Sequence, residues 1–103
     1  MVSIVLMCSQ GASTSILVQK MKKSAEDQQI KCKIAAYSVN ALTQIKDAAD
    51  IILLGPQVKY MLAKIQAEVH CKVIPIDMRM YGLMDGESVL QTAIQALGSR
   101  GLS

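Results

Sequence analysis

Short apolar runs that alternate with helix-period segments constrain this chain more than any other feature. Residues 2–7, VSIVLM, form a nearly continuous apolar run with one polar break at Ser3, the pattern of a strand buried on both faces. Downstream, Leu17, Met21 and Ala25 recur every four residues, while Lys20, Lys22, Lys23, Glu26 and Asp27 occupy other faces, which predicts a helix with one apolar stripe. Residues 31–38 set Cys32, Ile34 and Ala36 against Lys31, Lys33 and Ala35, an alternation that predicts an edge strand. Asn40 is the expected cap of a short helix carrying Leu42 and Ile45. Residues 51–54 form a compact apolar strand ended by Gly55 and Pro56, and Val58, Met61, Leu62 and Ile65 follow the i, i+3, i+4, i+7 rule of a helix. Residues 73–76 predict a fourth strand and residues 77–84 a loop. Leu90, Ala93, Ile94 and Leu97 predict a last helix between Asp85 as cap and Gly98 as stop.

Alternation of this kind requires right-handed crossovers, and hence a parallel sheet. The expected fold is α/β, an open four-stranded parallel sheet in the order 2-1-3-4 with helices on both faces. The tail 99–103 is expected to fray.

With 103 residues the chain has room for one core, and a single domain over residues 1–103 is expected. No apolar run approaches the roughly 20 residues of a membrane span. The first residues lack a basic stretch and a small-residue cleavage site, so no signal peptide is read there, and the default expectation is a cytoplasmic protein with no direct membrane insertion. Cys8, Cys32 and Cys71 form an odd set without C-x-x-C spacing or clustered histidines, so neither disulfides, a metal nor another cofactor is expected. The net charge of +3 comes mainly from scattered lysines, and three tyrosines are the only aromatic residues. Nucleic-acid binding would show a stronger basic stripe or stacking aromatics, so no nucleic-acid partner is expected and the lysines read as a solvated face.

The segment CSQGASTS, from Cys8 to Ser15, carries the chemistry. In open α/β sheets ligands bind at the carboxyl ends of strands, where successive connections leave in opposite directions, and in the order 2-1-3-4 that point lies beside strand 1. Ser9 to Ser15 supply backbone N–H groups, a turn-permitting Gly11 and hydroxyls at Ser9, Ser13, Thr14 and Ser15. A helix N-terminus beyond them favours a phosphate and, at a neighbouring cysteine, a thiolate. Nucleophile and anion site would then coincide, which suits phosphoryl transfer through a phosphocysteine. The plain alternative is a small buried cysteine ahead of an ordinary capped helix. The loop is not a Walker A motif, lacking GK[ST], nor a dinucleotide fingerprint, since Gly11 is its only glycine.

The pattern resembles the cysteine phosphatases, whose loop reads C-x5-R-[ST]. Here Thr14 stands at the arginine position and Ser15 at the hydroxyl position. Without a guanidinium to clamp a phosphoryl group in flight, the loop should be a poor hydrolase and a better carrier. A small cysteine-dependent phosphatase and a non-catalytic anion-binding regulatory domain stand as the alternatives.

CSQGASTSILVQKM also resembles the active-site loop and first helix of the lactose/cellobiose-type enzyme IIB of the bacterial phosphoenolpyruvate-dependent sugar phosphotransferase system. DIILLGPQVKYML and YGLMDGESVL resemble the same family's third strand with its Gly-Pro-Gln helix start, and its Tyr-Gly and Asp-Gly segment before the last helix. The resemblance covers essentially the whole chain and implies a fold like that of the low-molecular-weight cysteine phosphatases. It implies that Cys8 accepts a phosphoryl group from a phosphohistidine of a IIA protein and delivers it to a sugar, such as cellobiose or lactose, held by a IIC membrane transporter. Ser9, Gln10, Gly11, Ala12, Ser13, Thr14 and Ser15 are carried over as the phosphate cradle. Ala12 departs from the Met often found there in the cellobiose branch, a change that bears on sugar subclass or partner contact rather than on the cradle's backbone.

Gln57, Asp77, Arg79 and Tyr81 form the candidate rim. Gln57 either borders the site through Gly55 or only starts a helix. Asp77 reads as a cap or turn residue rather than a general acid, because transfer from phosphohistidine leaves imidazole and needs no strong acid. Arg79 either approaches the phosphate or, the favoured reading, is solvated at the surface. His70 reads as an ordinary loop histidine, and Cys32 and Cys71 as structural thiols.

Overall fold

The computed structural model describes residues 2–8 and 12–98. Strands β1 (Val2–Cys8), β2 (Cys32–Ser38), β3 (Ile51–Leu54) and β4 (Lys72–Pro75) form one parallel sheet in the order β2-β1-β3-β4. Helix α1 (Ala12–Asp27) links β1 to β2, and α2 (Leu42–Ile45) links β2 to β3. Helix α3 (Leu62–Glu68) links β3 to β4, and α4 (Met78–Gly82) and α5 (Gly86–Leu97) follow β4.

The period of two in a strand divides the core into two layers. Ile4, Leu6, Ile51 and Leu53 face Leu17, Met21 and Ala25 of α1 and Val89, Leu90 and Ala93 of α5. Val5, Met7, Ile52 and Leu54 face Leu42, Ile45, Val58 and Ile65 on the other side. Because β1 and β3 are apolar at successive positions, they serve both layers at once and take the centre of the sheet. At its amino end the pairing of Ile4 with Ile51 is fixed by a reciprocal contact. The Asp50 N–H donates to the Ser3 carbonyl at 2.8 Å, and the Ser3 N–H donates to Asp50 Oδ2 at 2.7 Å.

Several local expectations are corrected. Asn40 does not cap the second helical segment. Ser38, extended at φ −70° and ψ 151°, turns its hydroxyl onto the Asn40 N–H at 3.2 Å, and Asn40 already lies inside a 3-10 turn over Val39–Ala41. The segment after β3 opens as a 3-10 helix over Pro56–Met61 before α3. Val58 and Met61 are three apart and share a face at three residues per turn, so the spacing suits the tighter helix. Residues 77–84 are not a plain loop but contain α4, whose five residues are too few to show a period. Strand β4 runs one residue earlier than expected, ending at Pro75, and the Ile76 N–H still donates to the Leu54 carbonyl at 2.8 Å. The tail 99–103 lies outside the described residues.

Candidate functional site

Strand β1 ends at Cys8, and the three strands that flank or follow it leave this point in opposite directions, β2 to one side and β3 and β4 to the other. Cys8 is therefore at the switch point of the sheet. It pairs with Ser38 across β2, and only 1% of its surface is exposed. By strand alternation its side chain lies on the α1 side of the sheet, with Ile4 and Leu6.

On its other flank the site is closed by Gly55. Its N–H donates to the Met7 carbonyl at 2.9 Å, which continues the β1–β3 ladder by one step. A Cβ at Gly55 would lie 3.6 Å from Cys8 Cβ, 3.5 Å from the Met7 carbonyl oxygen and 3.0 Å from Gln57 Oε1. The backbone of residue 55 thus lies against the cysteine, and the exposed Gln57 bends its amide back over it. Pro56 then begins the helical segment where its missing N–H costs no bond.

The connection between β4 and α5 supplies the remaining candidates. The Asp77 carboxylate accepts from the N–H groups of Arg79, at 2.8 Å, and Met80, at 3.2 Å, which caps α4. Arg79 is exposed on α4. Tyr81 is buried, 8% exposed, and its hydroxyl lies 3.3 Å from that of Thr14 in the first turn of α1. Thr14, at the position where the phosphatases carry arginine, is 1% exposed and turned toward Tyr81. Ser15 is exposed on α1. Ser9, Gln10 and Gly11 of the expected cradle, and the side chains of Ala12 and Ser13, lie outside the described residues; the backbone of residues 12 and 13 opens α1.

The structure therefore brings Gly55, with Gln57 beside it, against Cys8, and separately joins Thr14 to Tyr81. Sequence reasoning missed two of these relations. Gly55 read as a strand terminator and as the link through which Gln57 could border the site, but the approach of its own backbone to Cys8 was not read, although Gly-Pro-Gln directly after a central strand signals one. The link between Thr14 and Tyr81 spans 67 positions, and no local pattern announces it. The remaining cysteines stand apart. Burial pushes the Cys32 thiol up from its ordinary value, and burial with the nearby Asp50 carboxylate outweighs a lowering backbone hydrogen bond and pushes Cys71 up as well. Both are held in the less nucleophilic protonated form.

A cysteine that closes the first strand at the switch point, ahead of the helix that begins at residue 12, defines a class of thiol-bearing α/β proteins with the layout of the low-molecular-weight phosphatases. The family model for "PTS system, Lactose/Cellobiose specific IIB subunit" matches residues 3–92, and the chain belongs to that family of sugar phosphotransferase-system components. It is 34% identical over 100 residues to the oligo-beta-mannoside-specific EIIB component of Bacillus subtilis (strain 168), which covers 94% of this chain and 97% of that protein. It is 38% identical over 98 residues to the galactose-specific EIIB component of Lactococcus lactis subsp. cremoris (strain MG1363), covering 87% of this chain and 91% of the relative. The solution structure of a cellobiose-specific phosphotransferase IIB component from Borrelia burgdorferi superposes with a TM-score of 0.81 at 35% identity, over 99% of this chain and 96% of that one. As an EIIB component the chain is a phosphotransferase of the sugar phosphotransferase system. No helix among the described residues is long and apolar enough to cross a membrane.

Proposed function

We propose that this chain is a single phosphocarrier domain that takes a phosphoryl group from a phosphohistidine of a IIA protein onto Cys8 and passes it to a sugar held by a IIC membrane transporter. The observation that carries the reading is the place of Cys8, at the switch point and six residues before a helix turn whose side chain at position 14 is turned inward. In the first step the Cys8 thiolate attacks phosphorus. The S–P bond forms as the P–N bond breaks, and the departing imidazole keeps the electron pair and takes a proton from solvent. In the second step a sugar hydroxyl attacks the same phosphorus, the S–P bond breaks, and the thiolate is regenerated as the hydroxyl proton leaves. Charge on the equatorial oxygens falls to backbone N–H groups and the α1 dipole, since position 14 offers no guanidinium. The same absence disfavours attack by water and suits a carrier. The names of the relatives, one oligo-beta-mannoside-specific and one galactose-specific, support a β-glycoside or galactose as the sugar class.

Docking would use the carboxyl end of the sheet. Ile16 on α1, Tyr60 after β3 and Met78 after β4 are 53%, 83% and 75% exposed, an apolar rim on segments that leave this end. The test is intact-protein mass spectrometry after incubation with phosphoenolpyruvate, the general phosphotransferase proteins and a IIA protein. A phosphate-sized gain in the wild type that is absent from Cys8→Ser is expected. No adduct with any of several IIA proteins of this family would replace the carrier reading with an anion-binding domain.

A further inference from the structure

We infer that Tyr81 is a positioning residue for the first turn of α1 behind the phosphoryl-accepting Cys8, acting through its hydroxyl on Thr14; the inference rests on the Cys8 reading given above. Among the described residues Thr14 is the one buried polar side chain outside the aromatic set. A hydroxyl in that position costs free energy unless it is bonded, and Tyr81 Oη lies within bonding distance at 3.3 Å. Either oxygen can act as the donor, so the pair can keep one hydroxyl proton for a further acceptor.

Tyr81 is itself held from several directions. Its ring belongs to the layer formed with α1 and α5. Its N–H donates to the Asp77 carbonyl at 2.9 Å, its carbonyl accepts from the Met84 N–H at 3.1 Å, and the Asp85 N–H returns to the Met80 carbonyl at 2.9 Å. The Asp77 carboxylate fixes the start of the same helix. The hydroxyl is therefore presented from a braced segment, and it meets the first turn of α1 only six residues after Cys8. Thr14, lacking arginine's reach, is held inward in this way. The first-turn backbone, whose N–H groups would face a phosphoryl group on Cys8, takes its orientation from that strut.

Removing the hydroxyl while keeping the ring tests the strut. Phosphorylation of Cys8 by phosphorylated IIA should slow by about five- to tenfold in Tyr81→Phe, a loss typical of one buried hydrogen bond, with KM for IIA unchanged. Thr14→Val should lose as much, Thr14→Ser should recover most of the rate, and the double variant Tyr81→Phe/Thr14→Val should be no slower than either single one. Wild-type rates in Tyr81→Phe, or additive losses in the double variant, would overturn the inference. Cys8 alkylation against pH, in a Cys32→Ala/Cys71→Ala background, reads the same coupling without any phosphodonor. A wild type that accepts no phosphoryl group sinks the Cys8 reading. In that case a profile midpoint displaced equally by Tyr81→Phe and Thr14→Val keeps the coupling, and superimposable profiles overturn it.

Discussion

The two faces of the sheet are built differently. One is covered by α1 and α5, of 16 and 12 residues, which run against each other as well as against the strands. The other is covered by α2 and α3, of 4 and 7 residues, extended by 3-10 turns. The long pair is packed to backbone contact. A Cβ at Gly86 would lie 2.7 Å from Lys20 C, Lys20 Cβ and Met21 N, so α5 begins against the main chain of α1. The short pair leaves part of β2 uncovered, in a groove lined by Lys33, Ala35, Tyr37 and Ile45. The helix that opens the site sits on the unyielding face, and the difference teaches that this fold spends its tightest packing on fixing α1.

Gly86→Ala is the most direct way to break that arrangement. Backbone atoms at 2.7 Å cannot swing aside, so α5 must move off α1, at an expected cost of about 3 kcal/mol, the upper end of overpacking penalties. A urea midpoint measures it, and a wild-type midpoint would show that the helices slide freely. Truncation sharpens the same contrast. Leu90→Ala, in the layer between the long helices and the sheet, should cost about 4 kcal/mol, and Ile65→Ala about 2 kcal/mol, because the short α3 can settle into the space left behind. Equal losses would mean that helix length does not govern relaxation here.

Acid should loosen the start of α5. The Ser88 hydroxyl, at 2.8 Å, and then the Ser88 N–H, at 3.1 Å, hold the Asp85 carboxyl below its ordinary value, with the Lys20 charge adding to the effect. A lowered folded value means that folding favours the carboxylate. Its contribution is complete above about pH 4 and drains away as the pH falls through the lowered value. Asp85→Asn should flatten the acid limb of a midpoint-against-pH curve. The smallest effect is expected at Gly82, where an added Cβ meets nothing within 4 Å; Gly82→Ala should leave the midpoint within about 0.5 kcal/mol of wild type.

These positions also show what a sequence discloses. Successive apolar residues in β1 and β3 announced central strands, the alternation of β2 announced an edge, and with right-handed crossovers these made 2-1-3-4 the most economical order. Asp85 and Gly98 were legible because caps and stops act within a few residues, and Gly98 stands at φ 67° as a stop requires. Helix α4 was not legible, because a five-residue helix depends on the Asp77 cap and on the burial of Tyr81, which the core supplies. Asp-Gly at 85–86 read as a cap and its neighbour, but the need for glycine comes from Lys20 and Met21, sixty-odd positions away. In the site, Cys8 and the helix after it could be placed from the loop. Gly55 against the cysteine and Tyr81 against Thr14 are tertiary facts, set by how the layers close.

Pro75 ends the outermost strand, and its geometry has a consequence for how copies of this chain coexist. The Ile76 N–H points inward to Leu54, so by strand alternation the Pro75 nitrogen points outward, to the open border of the sheet. The missing hydrogen is absent where no internal ladder bond needs it, and a foreign strand arriving at that border finds one donor fewer and a ring in its path. A crowded population of such chains is thereby hindered from stitching itself into fibrils along β4.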